Sequence, residues 1–271
     1  MKATARGGGE VRLLEEIAAN AVAPSVVQLL DGWLLRATPD APFRRSNAVL
    51  PIRFDRGALD RALDERLALV EDFYRRHGLP VRYQISPAVE PQDLDAVLAA
   101  RGYVVEAPVV VQVARAEDVA ARTRRDVPGS VRTTPPDDAS WLDAHAEEQD
   151  DPRQRARLLA YGRLLRRASP RSVAARVEVG GAGTVAVGFA VLERGWCGVF
   201  GMATRPDARR TGAASAILHA FAATALAAGS PSMYLQVEAD NDPALRLYAA
   251  AGFGTRYGYH YRSLDLLSRQ G

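Results

Sequence analysis

One short pattern occurs twice in the chain, and it commits the fold to alternating strands and helices. Tyr83-Gln84-Ile85 is followed, after a gap, by Leu94-Asp95-Ala96-Val97-Leu98-Ala99-Ala100-Arg101-Gly102-Tyr103. Leu235-Gln236-Val237 is followed, after a gap, by Ala244-Leu245-Arg246-Leu247-Tyr248-Ala249-Ala250-Ala251-Gly252-Phe253. Each copy reads as an apolar strand, a short helix, a glycine that stops it, an aromatic residue and a further strand. Duplication of one unit explains the match, and two ordinary strand–helix–strand units would also produce it.

The remaining periodicities fill in the same alternation. Helical spacing covers 10–22, 59–77, 91–100, 138–148, 152–167, 212–228 and 243–250. Strand patterns cover 32–36, 46–52, 81–86, 103–113, 173–179, 184–192, 196–204, 233–237 and 258–264. Gly180-Gly181-Ala182-Gly183 joins two of these strands as a hairpin. The fold class is α/β, with a mixed sheet flanked by helices. Residues 115–136 hold Arg122, Arg124, Arg125, Pro128, Gly129, Pro135 and Pro136 with few large apolar residues, and read as a linker. The division expected is an N-terminal domain over 1–115, a linker over 116–136 and a C-terminal domain over 137–271.

Composition excludes several classes of protein. At 271 residues with 48% hydrophobic and 25% charged residues, the chain can bury a core without staples. Its one cysteine, Cys197, rules out an internal disulfide and a multi-cysteine zinc site, so no metal is expected. Net charge is +3, and of 35 basic residues only Lys2 is lysine. Carboxylates are interspersed among the arginines, whereas a nucleic-acid binder concentrates its charge in a patch. Glu10, Arg12, Glu15 and Glu16 break any apolar run near the start, and 213–228 is too short to span a bilayer. A cytoplasmic protein without nucleic-acid or membrane partners is expected.

The most informative segment is Met202-Ala203-Thr204-Arg205-Pro206-Asp207-Ala208-Arg209-Arg210-Thr211-Gly212-Ala213-Ala214-Ser215-Ala216-Ile217-Leu218. A strand ends near Thr204, Pro206 stops its pairing, and a basic turn leads through Gly212 into an apolar helix. Unpaired amides at a helix N-terminus suit an anion. Gly212, Ala213 and Ala214 carry no bulk, and Arg209 and Arg210 add charge. An ordinary strand-to-helix turn would also use small residues.

This segment resembles the coenzyme A motif of the GNAT-family N-acetyltransferases, Gln/Arg-x-x-Gly-x-Gly/Ala, through Arg209-x-x-Gly212-x-Ala214. Asn241-x-x-Ala244-x-x-Leu247-Tyr248-x-x-x-Gly252-Phe253 resembles the family's second block, at the expected distance. The resemblance covers roughly residues 130 to 265. It departs from many members at Ala214, where they carry a second glycine.

The resemblance implies that acetyl-CoA, as co-substrate, lies between two splayed parallel strands, here 196–204 and 233–237. Backbone near Met202, Ala203 and Thr204 would pair with pantetheine, an amide there would polarise the thioester carbonyl, and Arg209, Arg210, Thr211, Gly212, Ala213 and Ala214 would hold the pyrophosphate. Asn241 would bond the pantetheine region, and equally fits a helix N-cap before Asp242-Pro243. Tyr248 would be the general acid to the CoA thiolate in direct transfer to a primary amine of a small molecule or protein. No motif assigns the general base; Glu238 is the first candidate, with Glu193 and His260 behind it. Cys197 reads as a buried, inert thiol.

The acidic run Glu147-Glu148-Gln149-Asp150-Asp151 could attract a cationic amine, or pair with the arginines of the next helix. The N-terminal half places Leu98 where Tyr248 stands and has no Arg-x-x-Gly-x-Ala in Arg53-Phe54-Asp55-Arg56-Gly57-Ala58, so it resembles a degenerate GNAT-like domain in a tandem arrangement. Trp33, Arg36, Arg44, Arg45 and Asn47 could line an acceptor pocket, and core or interface packing explains them as well. A monomer or homodimer is expected. The rival function is a non-catalytic acyl-CoA-binding sensor whose N-terminal domain binds a partner.

Overall fold

The computed structural model describes residues 3–41, 43–53, 63–127, 129–135, 151–167 and 171–265. These group into two units. The first takes in the described residues of 1–19, 23–109 and 257–271; the second takes in those of 20–22 and 110–256.

In the first unit, helix α1 (Ala3–Ala21) is followed by the hairpin β1 (Val26–Leu30) and β2 (Trp33–Ala37). Helix α2 (Leu63–Arg76) buries Leu67, Val70, Phe73 and Tyr74, an amphipathic stripe at helical spacing. These pack with Trp33 and Leu35 of β2, with Val81, Tyr83 and Ile85 of β3 (Val81–Ile85), and with Leu94 and Leu98 of α3 (Leu94–Ala100). β10 (Gly254–Leu264) pairs antiparallel with β3, from His260↔Ile85 to Leu264↔Val81. The last described strand thus pairs within the first unit, far along the chain from β3.

The strand expected over 46–52 is reduced to bridges at Val49 and Leu50, after a 3-10 turn at Arg44–Ser46. The Asn47 side chain explains the change. It accepts from Thr38 N at 2.7 Å and donates to Ala41 O at 2.7 Å, locking a loop where a ladder would run. Trp33, Arg36 and Asn47 are buried structural residues. Trp33 Nε1 donates to Glu90 O, and Arg36 donates to Ala48 O and to Gln84 Oε1, each of the latter at 2.9 Å. Arg44 pairs with Glu106 at 3.6 Å, and Arg45 reaches the Tyr259 hydroxyl at 3.5 Å. Gln84 and Tyr257 in turn donate to Glu15 on α1, whose carboxyl is pushed up to about 7 by burial, against the pull of Tyr257, Arg36 and Arg45.

In the second unit the strand order is β4-β9-β8-β7-β6-β5. The strands are β4 (Val104–Arg115), β5 (Ser130–Thr134), β6 (Ser172–Val179), β7 (Gly183–Glu193), β8 (Trp196–Thr204) and β9 (Ser232–Glu238). β5 through β8 pair antiparallel in succession, while β8 and β9 are parallel. Helix α6 (Ala213–Ala227) supplies Ile217, Leu218, Phe221 and Ala225 to a core with Cys197, Val199, Met233 and Leu235. The sheet is mixed and mostly antiparallel, as expected.

Within 116–136, read from the sequence as a linker, the structure has helix α4 (Ala116–Thr123) and strand β5. Ala116 and Val119 are fully buried in the same core as α6, and His219 on α6 bonds Ala120 O through Nδ1 at 3.0 Å. Helix α5 (Pro152–Arg166) is capped by Asp151, which accepts from Arg153 N at 2.9 Å. The helix expected over 138–148, the acidic residues Glu147–Asp150 and residues 54–58 lie outside the described residues.

The two copies of the repeated pattern end in the same backbone turn. After α3, Gly102 N bonds Ala99 O and Tyr103 N bonds Leu98 O; after α7 (Asp242–Ala250), Gly252 N bonds Ala249 O and Phe253 N bonds Tyr248 O. Both glycines have positive φ, +83° and +98°, which is why each helix stops there.

Candidate functional site

The parallel pair at the middle of the second unit comes apart part-way along. Its register runs from Trp196↔Ser232 to Val199↔Leu235, yet β8 continues to Thr204 and β9 to Glu238. β7 follows β8 to its end, Ala186 facing Thr204, but only by way of a bulge: two steps on β7, from Val187 to Phe189, match three on β8, from Ala203 to Phe200. Gly201 absorbs the extra residue with φ +58°. The β8–β9 ladder ends at Val199↔Leu235, and beyond it the backbone of 202–204 faces an opening between the two strands.

Met202 turns its side chain away from that opening. A Cβ on Gly188 would stand 2.7 Å from Met202 Sδ and 2.8 Å from Ile217, so the methionine lies on the α6 side. A Cβ on Gly201 would stand 3.2 Å from the Tyr161 ring and 3.3 Å from Leu165, both on α5. Ala203 and Thr204 are half-buried.

The turn after β8 is held by its own side chains. Arg205 grips Asp207 with Nε at 2.7 Å and Nη2 at 2.8 Å, and reaches Ala182 O at 2.7 Å. Thr211 Oγ1 donates to Ala208 O at 2.7 Å. Arg210 and Gly212 both have positive φ, +65° and +91°, and Gly212 is the N-cap of α6 with no side chain capping it. The first amides of α6, at Ala213 and Ala214, therefore open at the turn without a capping acceptor. Arg209 and Arg210 are exposed and form no ion pair among the described residues. Consecutive amides at an αL-containing turn, a helix N-terminus and two arginines without acid partners among the described residues are groups that suit phosphate oxygens.

Tyr248, on α7, is 8% exposed and stacks edge-on to Phe253 at 6.0 Å. No group among the described residues hydrogen bonds its hydroxyl. Burial pushes its pKa up to about 12, with Tyr161 nearby as the second cause. Asn241 does cap α7: its Oδ1 accepts from Ala244 N at 3.2 Å. Glu238 is the exposed last residue of β9, three residues before that cap, and its carbonyl accepts from Asn241 N at 3.0 Å.

The other candidates are engaged elsewhere. Glu193 accepts from Asn20 Nδ2 at 2.8 Å at the β7–β8 turn. His260 belongs to the first unit, where Asp95 accepts from its Nε2 at 3.0 Å and from Arg262 Nε at 2.7 Å. Cys197 is fully buried, its thiol pushed up to about 12 by burial. Two contributors were missed in the sequence. Gly201 carried a signal, since a glycine inside a strand pattern marks a bulge. Tyr161 carried none, because only the packing of α5 on the bulge brings it there.

Known proteins are similar to this chain in sequence and in fold. A family model described as "Probable histone acetyltransferase Rv0428c C-terminal" matches residues 8–262. The chain is 24% identical over 253 residues to the Bacillus subtilis protein called "Uncharacterized N-acetyltransferase YobR", covering 93% of this chain and 98% of that one. Among solved structures it resembles a tandem GNAT protein from the clavulanic acid biosynthesis pathway, with a TM-score of 0.64 at 13% identity over 97% of this chain and 95% of that one. It also resembles a GCN5-related N-acetyltransferase from Kribbella flavida, with a TM-score of 0.62 at 15% identity over 95% and 97% of the two chains. At such identities the structural likenesses carry the fold.

Proposed function

The chain belongs to the family of the Rv0428c C-terminal model, within the GNAT-type acetyltransferases, and from that premise we propose that its second unit moves an acetyl group from acetyl-CoA to a primary amine by direct attack. The observation that carries the reading is the opening between β8 and β9, with the uncapped N-terminus of α6 following β8 and Tyr248 on the helix that follows β9. Bound acetyl-CoA would supply an activated acyl group, whose transfer forms a C–N bond as the C–S bond breaks.

The residues fit such a ligand. Backbone at Met202, Ala203 and Thr204 supplies the pairing groups for pantetheine, and an amide there stands ready as a preorganised donor to the thioester oxygen. Arg209, Arg210, Thr211, Gly212, Ala213 and Ala214 take the pyrophosphate. Asn241 uses its oxygen as the cap, which leaves its Nδ2 for the pantetheine arm. Glu238, exposed at the end of β9, takes the proton that the amine gives up.

Tyr248 acts as general acid. With its pKa near 12 it is protonated throughout the neutral range, as a donor must be. The thiol it serves has a pKa of about 8.5. A phenol held that much higher acts first as a hydrogen-bond donor that stabilises the charge developing on sulfur, and the proton passes over fully only as burial of the CoA thiolate in the same site raises its basicity toward that of the phenol. The first unit, with Leu98 in the corresponding place and buried, is proposed as the degenerate half of a tandem arrangement.

Turnover is tested by following release of free thiol from acetyl-CoA against a library of primary amines. Acetylation of at least one amine, lost in Tyr248→Phe, supports the reading. Binding of acetyl-CoA with no turnover on any amine favours the sensor.

A further inference from the structure

Helix α4 and the residues after it carry no assigned role, yet they run beside the phosphate turn. Ala116 and Val119 fix α4 in the core under α6, and Thr123 Oγ1 donates to Val119 O at 2.5 Å near its end. The chain then passes Gly212 closely. A Cβ on Gly212 would stand 3.4 Å from Val127 Cγ1 and 3.9 Å from Arg125 Cβ. Val127 packs against the hydrophobic core of the unit, so this approach is anchored on its inner side.

Arg125 itself is exposed, and its one hydrogen bond among the described residues is a long one, from Nη1 to the Arg124 carbonyl at 3.4 Å. Arg124 is exposed as well and has no acidic partner among the described residues. Two carboxylates are nearby in sequence. Asp207 is committed to Arg205 in two hydrogen bonds, and Asp126 is exposed beside Arg125. Among the described residues of the segments 124–127 and 205–212, four arginines, 124, 125, 209 and 210, therefore stand against one acid outside an ion pair, Asp126. From a Cβ at this distance the Arg125 side chain has the length to bring its guanidinium to an anion seated on the first amides of α6.

We infer that Arg125 binds a phosphate group of the CoA nucleotide from outside the motif, so that the segment following α4 forms a second wall of the cofactor site. The inference rests on the proposed coenzyme A site. It makes α4 and its flank part of ligand recognition rather than a tether. Two phosphate sources share this chemistry, the pyrophosphate and the 3′-phosphate of the ribose, and paired ligands separate them.

The test is calorimetric titration of the full chain with CoA and with 3′-dephospho-CoA, for the unaltered protein, Arg125→Ala and Arg194→Ala. Arg194 lies at the β7–β8 turn, at the other end of β8, and removes the same charge. Arg125→Ala is expected to weaken CoA on the order of tenfold, with Arg194→Ala unchanged. If the deficit vanishes with 3′-dephospho-CoA, the contact is to the 3′-phosphate; if it persists, the contact is to the pyrophosphate. Equal affinity of Arg125→Ala and the unaltered protein for both ligands overturns the inference while leaving the coenzyme A site in place. Equal loss in Arg125→Ala and Arg194→Ala also overturns it, by showing a general charge effect. No CoA binding by the unaltered protein removes the site and this contact together.

Discussion

Glu15 makes the stability of the first unit depend on pH in a direction opposite to that of most carboxylates. It is 1% exposed, accepts from Tyr257 and Gln84, and titrates near 7 where an ordinary glutamate stands at 4.5. Below 4.5 the group is protonated in both folded and unfolded chains and contributes nothing to the difference. Between 4.5 and 7 the unfolded chain has released a proton that the folded one retains, so folding becomes less favourable as pH rises. Above 7 the cost is complete. At about 1.4 kcal/mol per pKa unit it comes to roughly 3 kcal/mol, a large part of the usual stability of a domain.

Glu15→Gln removes the charge and keeps the shape: its amide oxygen can accept from Gln84, and its amide nitrogen can donate to the Tyr257 hydroxyl. Asp95 and Glu106, held low chiefly by their arginine partners, titrate in acid and cancel in the difference between the two proteins. Urea melts of both proteins from pH 4.5 to 8 supply that difference. The variant should gain on the unaltered protein steadily through the window, by up to about 3 kcal/mol at pH 8. A difference that does not change with pH, or one that shrinks as pH rises, would contradict a protonated, buried Glu15.

Further outcomes follow from the second unit. Tyr248→Phe should keep acetyl-CoA affinity by calorimetry and lose kcat by on the order of a hundredfold on any amine acetylated; unchanged kcat removes Tyr248 as the acid. Gly212→Glu should abolish binding, because it sets a carboxylate at the amides of α6 and forces a side chain into φ +91°; a folded variant with normal affinity would refute the phosphate turn. Cys197, buried with its thiol near 12, should resist a disulfide reagent in the native protein at pH 8 and react at once in urea; fast native labelling would contradict its placement. A fragment covering 137–271 omits Ala116 and Val119 from the core around α6 and should be insoluble, whereas one covering 110–256 should fold; circular dichroism and gel filtration distinguish them.

Much of the second unit was legible because local chemistry and tertiary packing agree there. The apolar run from Trp196 ends at Thr204 because Pro206 follows, and α6 starts after Gly212 because only small residues come next. The glycine stops at 102 and 252 came out as matched turns. What escaped was nonlocal or disguised. α4 carries Ala116, Val119 and Thr123 at helical spacing, but its arginines and the prolines beyond it masked the stripe. β1 was missed because Val27 and Leu29 are exposed, so no buried alternation marked it. That β10 pairs with β3 is a contact across the length of the chain, which no local pattern encodes. Of the proposed site, the Tyr248 and Gly212 positions came from motifs, while Gly201 and the Arg125 approach depend on a bulge and a packed helix.

The proposed function requires one working coenzyme A site, in the second unit, with none in the first. Calorimetric titration of acetyl-CoA into the purified chain measures this directly. It should show one site per chain, abolished in Gly212→Glu. Two sites per chain, or no binding by a folded protein, would contradict it.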